Sequence, residues 1–178
     1  DQLMMIFSRE VLKNNKGKEI IFDVKCSNLL SKIINEAGGI PVMSPTGHFH
    51  IKNTLKKTNA PLAGEMSGHI FFNDQWYGFD DAHYSAFRLI EILKMSKISI
   101  DALVEDLPKA FSTPEMNLNV EENKKFQIVK DFTSKADFGT ANKITIDGLR
   151  VNFEDGWGLL RASNTTPKLV LRFEANSQ

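Results

Sequence analysis

The sequence predicts two successive units: an α/β domain with a mixed sheet and flanking helices, then a small α+β domain with an antiparallel sheet. Two observations carry this reading. As far as Leu107-Pro108, apolar strand segments alternate with amphipathic helical ones, the mark of an α/β unit. Beyond that point, alternating apolar strands are punctuated by Asp147-Gly148 and Asp155-Gly156, and Asp-Gly between such strands is a strong hairpin signal. The 178 residues suit one large domain or two small ones, and 42% apolar with 25% charged residues is enough to bury a core.

The elements follow in order. Leu3 to Leu12 places Leu3, Phe7 and Val11 at helical spacing, and Asn14-Asn15-Lys16-Gly17 ends that helix. Glu19 to Val24 is a short buried strand. Ser27 to Ala37 is helical and stops at Gly38-Gly39, where glycine supplies a left-handed cap. Ile40 to Met43 is a second strand, with Thr46-Gly47-His48 in the loop after it and a helix from Ile51 to Lys57. Ile70-Phe71-Phe72 is a strand. Ala82 to Lys94 is a helix with Phe87, Ile90 and Leu93 as its apolar residues, Arg88 and Glu91 on other faces, and Asp80 or Asp81 as N-cap. The boundary between units falls near residues 108–112. After it, Glu115 to Val120 is expected as a half-buried strand. Glu121 to Phe132 is expected as a helix with Phe126, Val129 and Phe132 as its stripe. Strands around Ile144–Ile146, Leu149–Phe153, Trp157–Leu160 and Leu169–Phe173 then form a meander.

Composition removes several function classes. Twenty-two basic residues balance twenty-two acidic ones, so no global field favours nucleic acid or an anionic membrane, and any anion needs a local site. Cys26 is the sole cysteine, which excludes an intramolecular disulfide and fits a reducing, cytoplasmic setting. No run reaches the ~18–20 apolar residues of a membrane span. His48, His50, His69 and His83 lack zinc-type spacing, and Asp80-Asp81 is explained by helix capping, so no metal site is expected. The apolar run Leu3–Phe7 at the very start suggests a piece of a longer protein.

Two segments spend residues in ways that packing does not require. In Gly64-Glu65-Met66-Ser67-Gly68-His69, glycines flank a carboxylate, a hydroxyl and an imidazole, and allow them to converge on one ligand. A carboxylate beside a hydroxyl suits vicinal sugar hydroxyls, because it can accept from two of them at once. In Arg161-Ala162-Ser163-Asn164-Thr165-Thr166-Pro167, a guanidinium, three hydroxyls, an amide and several backbone N–H groups form a donor-rich loop suited to a phosphate dianion. Lys25, after Asp23-Val24 at a strand end, and His48 lie where open α/β sheets place ligands. The plainer alternative for each is a solvated loop residue.

Together these segments resemble the α-D-phosphohexomutase family, in its bacterial phosphomannomutase/phosphoglucomutase branch. Gly64 to His69 resembles the family's sugar-recognition loop and Arg161 to Pro167 its phosphate-binding loop. Asp23-Val24-Lys25-Cys26, Thr46-Gly47-His48 and Gly78-Phe79-Asp80-Asp81 match in the same order. The resemblance covers only the third and fourth of the family's four domains. It implies a sugar-recognition domain over 1–108 and a phosphate-binding domain over 109–178, the latter TATA-binding-protein-like and truncated. Glu65, Met66, Ser67, Gly68 and His69 would hold the sugar, and Arg161, Ala162, Ser163, Asn164 and Thr165 the phosphate, with Lys25 and His48 as further substrate contacts. The resemblance also implies partners: mannose and glucose phosphates, and the N-terminal domains of the same polypeptide. The Ser-His-Asn-Pro phosphoserine loop and the Asp/Gly magnesium loop are absent from this sequence. Mg2+, and glucose 1,6-bisphosphate as activator, therefore belong to the full-length enzyme, and this chain alone is expected to be inactive. The alternative is a non-catalytic phosphosugar-binding module.

Overall fold

A computed structural model describes residues 1–177 and divides into two compact units, one from Asp1 to Pro108 and one from Lys109 onward. The first unit has helices α1 (Gln2–Asn14), α2 (Asn28–Glu36), α3 (His48–Thr58), α4 (Ala82–Ser96) and α5 (Ile100–Glu105). Its strands are β1 (Glu19–Asp23), β2 (Ile40–Ser44), β3 (Leu62–Gly64) and β4 (Ile70–Phe72). They form a mixed sheet in the order β2-β1-β3-β4, with β1 parallel to β2 and β3, and β3 antiparallel to β4. The core is Phe7, Leu12, Ile20, Phe22, Leu30, Ile34, Leu62 and Phe72 with their neighbours, and Phe7 meets Phe72 edge-on at 5.0 Å. Removing a ring of this kind leaves a cavity that the backbone only partly closes.

The second unit has β5 (Phe111–Ser112), β6 (Met116–Asn119), α6 (Lys125–Lys135), β7 (Asn142–Ile144), β8 (Leu149–Asn152), β9 (Gly156–Ala162) and β10 (Lys168–Ala175). β7 to β10 form an antiparallel meander, with β5 and β6 both paired to β10. One sheet face packs Ala162, Leu169, Leu160 and Leu171 against Val129 of α6 and Val120. The opposite alternation carries Arg150, Trp157, Arg161, Arg172 and Glu174, all buried. Arg150 lies 3.7 Å from the Trp157 ring centroid, and Trp157 Nε1–H donates to Glu174 Oε1 at 2.8 Å.

Both units have the expected fold class, but several local expectations need correction. His48 is the first residue of α3 rather than part of a loop, so His48 and His50 both lie on that helix. α4 buries Ser85, Arg88 and Ile92, whereas Phe87 is 68% and Ile90 58% exposed. Arg88 faces inward because Asp74 neutralises it with two hydrogen bonds of 2.8 and 3.0 Å, and Phe72 lies beneath the guanidinium. β6 is exposed along its length, not half-buried. α6 starts at Lys125 and buries Lys125 and Val129 while Phe126 and Phe132 are exposed. Lys125 can be buried because it pairs with Glu122 at 2.7 Å and donates to the Thr166 carbonyl at 3.1 Å. The short β3, α5 and β5 carry no periodic signal and are additions to the sequence reading.

Candidate functional site

The parallel arrangement of β1, β2 and β3 brings the C-terminal ends of these strands to one edge of the first sheet, where α/β folds gather ligands. Asp23 ends β1, and its side chain is fully buried. Its Oδ1 accepts from the Met66 backbone N–H at 3.0 Å and from the Cys26 thiol at 3.2 Å. Its Oδ2 accepts from the Thr46 hydroxyl at 2.9 Å, and the Lys25 ammonium lies 3.8 Å away. One carboxylate thus ties together the segment after β1, the segment after β2 and the 65–69 loop.

That last loop is the turn of a β-hairpin joining β3 to β4. It is closed by Glu65 N–H donating to His69 O at 2.9 Å and Gly68 N–H donating to Glu65 O at 3.0 Å. Its two glycines serve different ends. Gly68 sits at φ +98°, a left-handed conformation that strains other residues. At Gly64 a Cβ would instead meet the Met4 side chain of α1, which would have to shift to admit it. Glu65 is 4% exposed and its Oε1 accepts no hydrogen bond, whereas Ser67 and His69 are exposed. Burial, followed by the charge of Asp23, holds the Glu65 carboxyl above the usual range against the opposing pull of His69 and Lys25.

His69 Nδ1 and Asp80 Oδ2 are 2.7 Å apart, a contact that orients the imidazole. The Asp80-Asp81 pair therefore divides its work. Asp81 caps α4 by accepting from Tyr84 N–H at 2.9 Å, which also lowers its pKa, and Asp80 faces His69. Lys25 is 6% exposed beside Asp23, and His48 packs on the Phe71 ring at 5.1 Å. The structure groups Glu65, Met66, Ser67, Gly68 and His69 on one turn, with Lys25 tied to the same carboxylate.

In the second unit, Arg161 is 4% exposed at the end of β9, and its Nε–H donates to Asp147 Oδ2 at 2.9 Å. Its Nη2 is buried and has no hydrogen-bond partner. Gly148, at φ +82°, lets the β7–β8 turn lie against the Arg161 backbone, where a Cβ would strike Arg161 Cα at 2.7 Å. Ser163 is buried, and its Oγ accepts from the N–H groups of Thr165 and Thr166 and from the Thr166 hydroxyl. Two of the amides anticipated as phosphate donors thus fold the loop onto Ser163. Asn164 and Thr165 are exposed. Asp80 and Asp147 are not among the anticipated site residues, because helix capping and a hairpin turn account for them in the sequence, and no sequence signal singles out Lys125.

Among the described residues, no three His, Cys, Asp or Glu side chains group as metal ligands. The residues present do not fit a magnesium site, and no step is assigned to magnesium on this chain.

The α/β unit and the antiparallel α+β unit carry these two loops in the order that the resemblance to the α-D-phosphohexomutase class implies. Residues 1–111 match the model of phosphoglucomutase/phosphomannomutase alpha/beta/alpha domain III, and residues 115–178 that of the phosphoglucomutase/phosphomannomutase C-terminal domain. The chain belongs to the phosphoglucomutase/phosphomannomutase family. It is 54% identical over its whole length to a phosphomannomutase/phosphoglucomutase of Pseudomonas syringae, and 51% identical to a phosphoglucomutase of Neisseria gonorrhoeae. It spans 38% and 39% of the lengths of those proteins. A crystal structure of a phosphoglucomutase/phosphomannomutase family protein from Burkholderia thailandensis superimposes with a TM-score of 0.91 at 49% identity, over 99% of this chain and 37% of that one.

Proposed function

We propose that this chain is the substrate-binding half of a phosphomannomutase/phosphoglucomutase, which interconverts hexose 1-phosphate and hexose 6-phosphate. In this reading residues 1–108 recognise the sugar and residues 109–178 hold the phosphate that is not being transferred. The observation that carries it is that, of the four buried side-chain atoms without a hydrogen-bond partner among the described residues, Glu65 Oε1 and Arg161 Nη2 fall one in each of the two loops, while Ser8 Oγ and Arg88 Nε lie outside them. Native folds rarely tolerate such atoms without a reason, and a ligand hydroxyl and a phosphate oxygen would satisfy them. Glu65 and Arg161 each lie in the loop to which the resemblance described above gives that chemistry.

Ionised Glu65 accepts from two neighbouring sugar hydroxyls, with Ser67 and the Met66-Gly68 backbone completing the contact. His69, oriented by Asp80, and Lys25 and His48 supply further polar contacts to the sugar phosphate. Arg161, held by Asp147, meets the phosphate with Ser163, Asn164, Thr165 and the Ala162 backbone. The phosphoryl donor, a phosphoserine, lies on another part of the polypeptide, and a bisphosphorylated hexose links the two half-reactions. Phosphoryl transfer depends mainly on positioning and charge stabilisation, so these binding contacts serve the chemistry directly.

Calorimetric titration of the chain tests this reading. Glucose 6-phosphate and mannose 6-phosphate should bind more tightly than inorganic phosphate, and glucose without phosphate should bind more weakly than either ester. A coupled assay should detect no conversion of glucose 1-phosphate by the chain alone. Failure of both esters to bind would overturn the reading, and conversion free of host enzyme would overturn the assignment of the donor to another segment.

A second expected outcome follows from Glu65. Its pKa is raised on folding, so the folded state holds its proton more strongly and loses stability as pH rises through that pKa. Glu65→Gln removes the buried charge and should therefore melt at a higher temperature than the wild type at neutral pH. The difference should shrink as pH falls into the carboxylate range, and the same variant should bind hexose phosphate less well. Thermal denaturation across pH checks the sign: a variant less stable than wild type at neutral pH would contradict it.

A further inference from the structure

We propose that Asp23 is a positioning residue, a single buried carboxylate that sets the sugar loop in register with the two neighbouring ligand-facing segments. The role of the loop rests on the functional reading above; the tie itself rests on geometry alone. Asp23 closes the strand that lies between β2 and β3, so the segments leaving all three parallel strands reach it. Oδ1 holds Met66 N–H and the Cys26 thiol, Oδ2 holds the Thr46 hydroxyl, and Lys25 Nζ stands at 3.8 Å. Met66 directly follows Glu65, so the position of the sugar-binding carboxylate is set by the Asp23 contact one residue on.

The contact to Met66 is the decisive one. A backbone N–H cannot turn to find another acceptor, whereas the Thr46 hydroxyl can rotate to accept instead of donate. Asparagine at position 23 can therefore keep its oxygen on Met66 N–H and turn its amide NH2 towards Thr46, preserving the geometry without the charge. Alanine abolishes both ties and leaves Met66 N–H unsatisfied.

The test compares Asp23→Asn and Asp23→Ala with wild type, using glucose 6-phosphate and inorganic phosphate as probes and amide hydrogen exchange as an independent readout. Asp23→Ala should lower glucose 6-phosphate affinity by about tenfold or more. Its inorganic phosphate affinity should stay at the wild-type value, because the Arg161 loop belongs to the other unit. The Met66 amide should exchange faster. Asp23→Asn should restore most of the hexose phosphate affinity and the Met66 protection. Should Asp23→Ala fail to fold, Asp23→Asn and Thr46→Val carry the test: the first should keep Met66 protected, and the second should shift resonances in both 44–47 and 65–69. A folded Asp23→Ala with unchanged Met66 exchange and unchanged affinity would overturn the proposal, as would Thr46→Val shifts confined to 44–47. If wild type binds no hexose phosphate, the functional reading fails, and Met66 exchange still decides whether Asp23 holds the loop.

Discussion

Arg161→Ala is expected to lower the affinity of this chain for inorganic phosphate by about 10- to 100-fold. A hydrogen bond to a charged group contributes about 1.5–3 kcal/mol, and the guanidinium has a buried Nη2 with no partner to give up on binding. Arg161→Lys should recover only part of the loss, since an ammonium keeps the charge but not the fork that Asp147 orients. His83→Ala, an exposed position on α4, should leave phosphate affinity unchanged. Isothermal titration of the three variants, with circular dichroism to confirm folding, decides the matter. A folded Arg161→Ala that binds phosphate like wild type would remove the 161–165 loop from the phosphate role.

Asp74→Ala is expected to destabilise the first unit by about 3–5 kcal/mol, because it leaves the buried Arg88 guanidinium with only the exposed Glu91 carboxylate, 3.4 Å from Nε, as an ionic partner. Arg88 is 6% exposed, and the two-pronged contact with Asp74 is its main neutralising partner, aided by Tyr84 and opposed by burial. The consequence reaches the candidate site. Tyr84 stacks on Trp76 at 4.5 Å, Trp76 Nε1–H donates to Asp81 at 3.2 Å, and the neighbouring Asp80 faces His69. Loosening this segment should also blur the His69 orientation. Replacing the pair together, with Asp74→Leu and Arg88→Met, should cost far less than Asp74→Ala, since no unpaired charge is left behind. Urea denaturation measures both, and a loss below 1 kcal/mol for Asp74→Ala would contradict the account of this ion pair.

These two cases also show what the sequence could and could not reveal. The two candidate loops stand out in the sequence because their residue types exceed any packing need: six residues from Gly64 to His69, and the run from Arg161 to Pro167, have no apolar period to obey. β1 and β2 were readable as apolar runs between turn signals. The inward face of α4 was not, because Phe87 and Ile90 carry the helical period while the buried position belongs to Arg88. What pulls Arg88 inward is Asp74, fourteen residues upstream, a pairing no local pattern encodes. Lys125 is buried for the same kind of reason, through the Thr166 carbonyl forty-one residues away. Asp147 and Asp80 were hidden differently. Each had a sufficient local explanation, a hairpin turn and a helix cap, and the tertiary partner came only with the fold.

The most direct test of the central claim, that the two loops bind a phosphosugar, is a backbone-resolved NMR titration of the chain with glucose 6-phosphate and, separately, with inorganic phosphate. The account predicts that glucose 6-phosphate shifts the resonances of residues 65–69, and that inorganic phosphate shifts those of 161–165 while leaving 65–69 in place. Shifts clustered elsewhere, with both loops silent at saturating ligand, would contradict it.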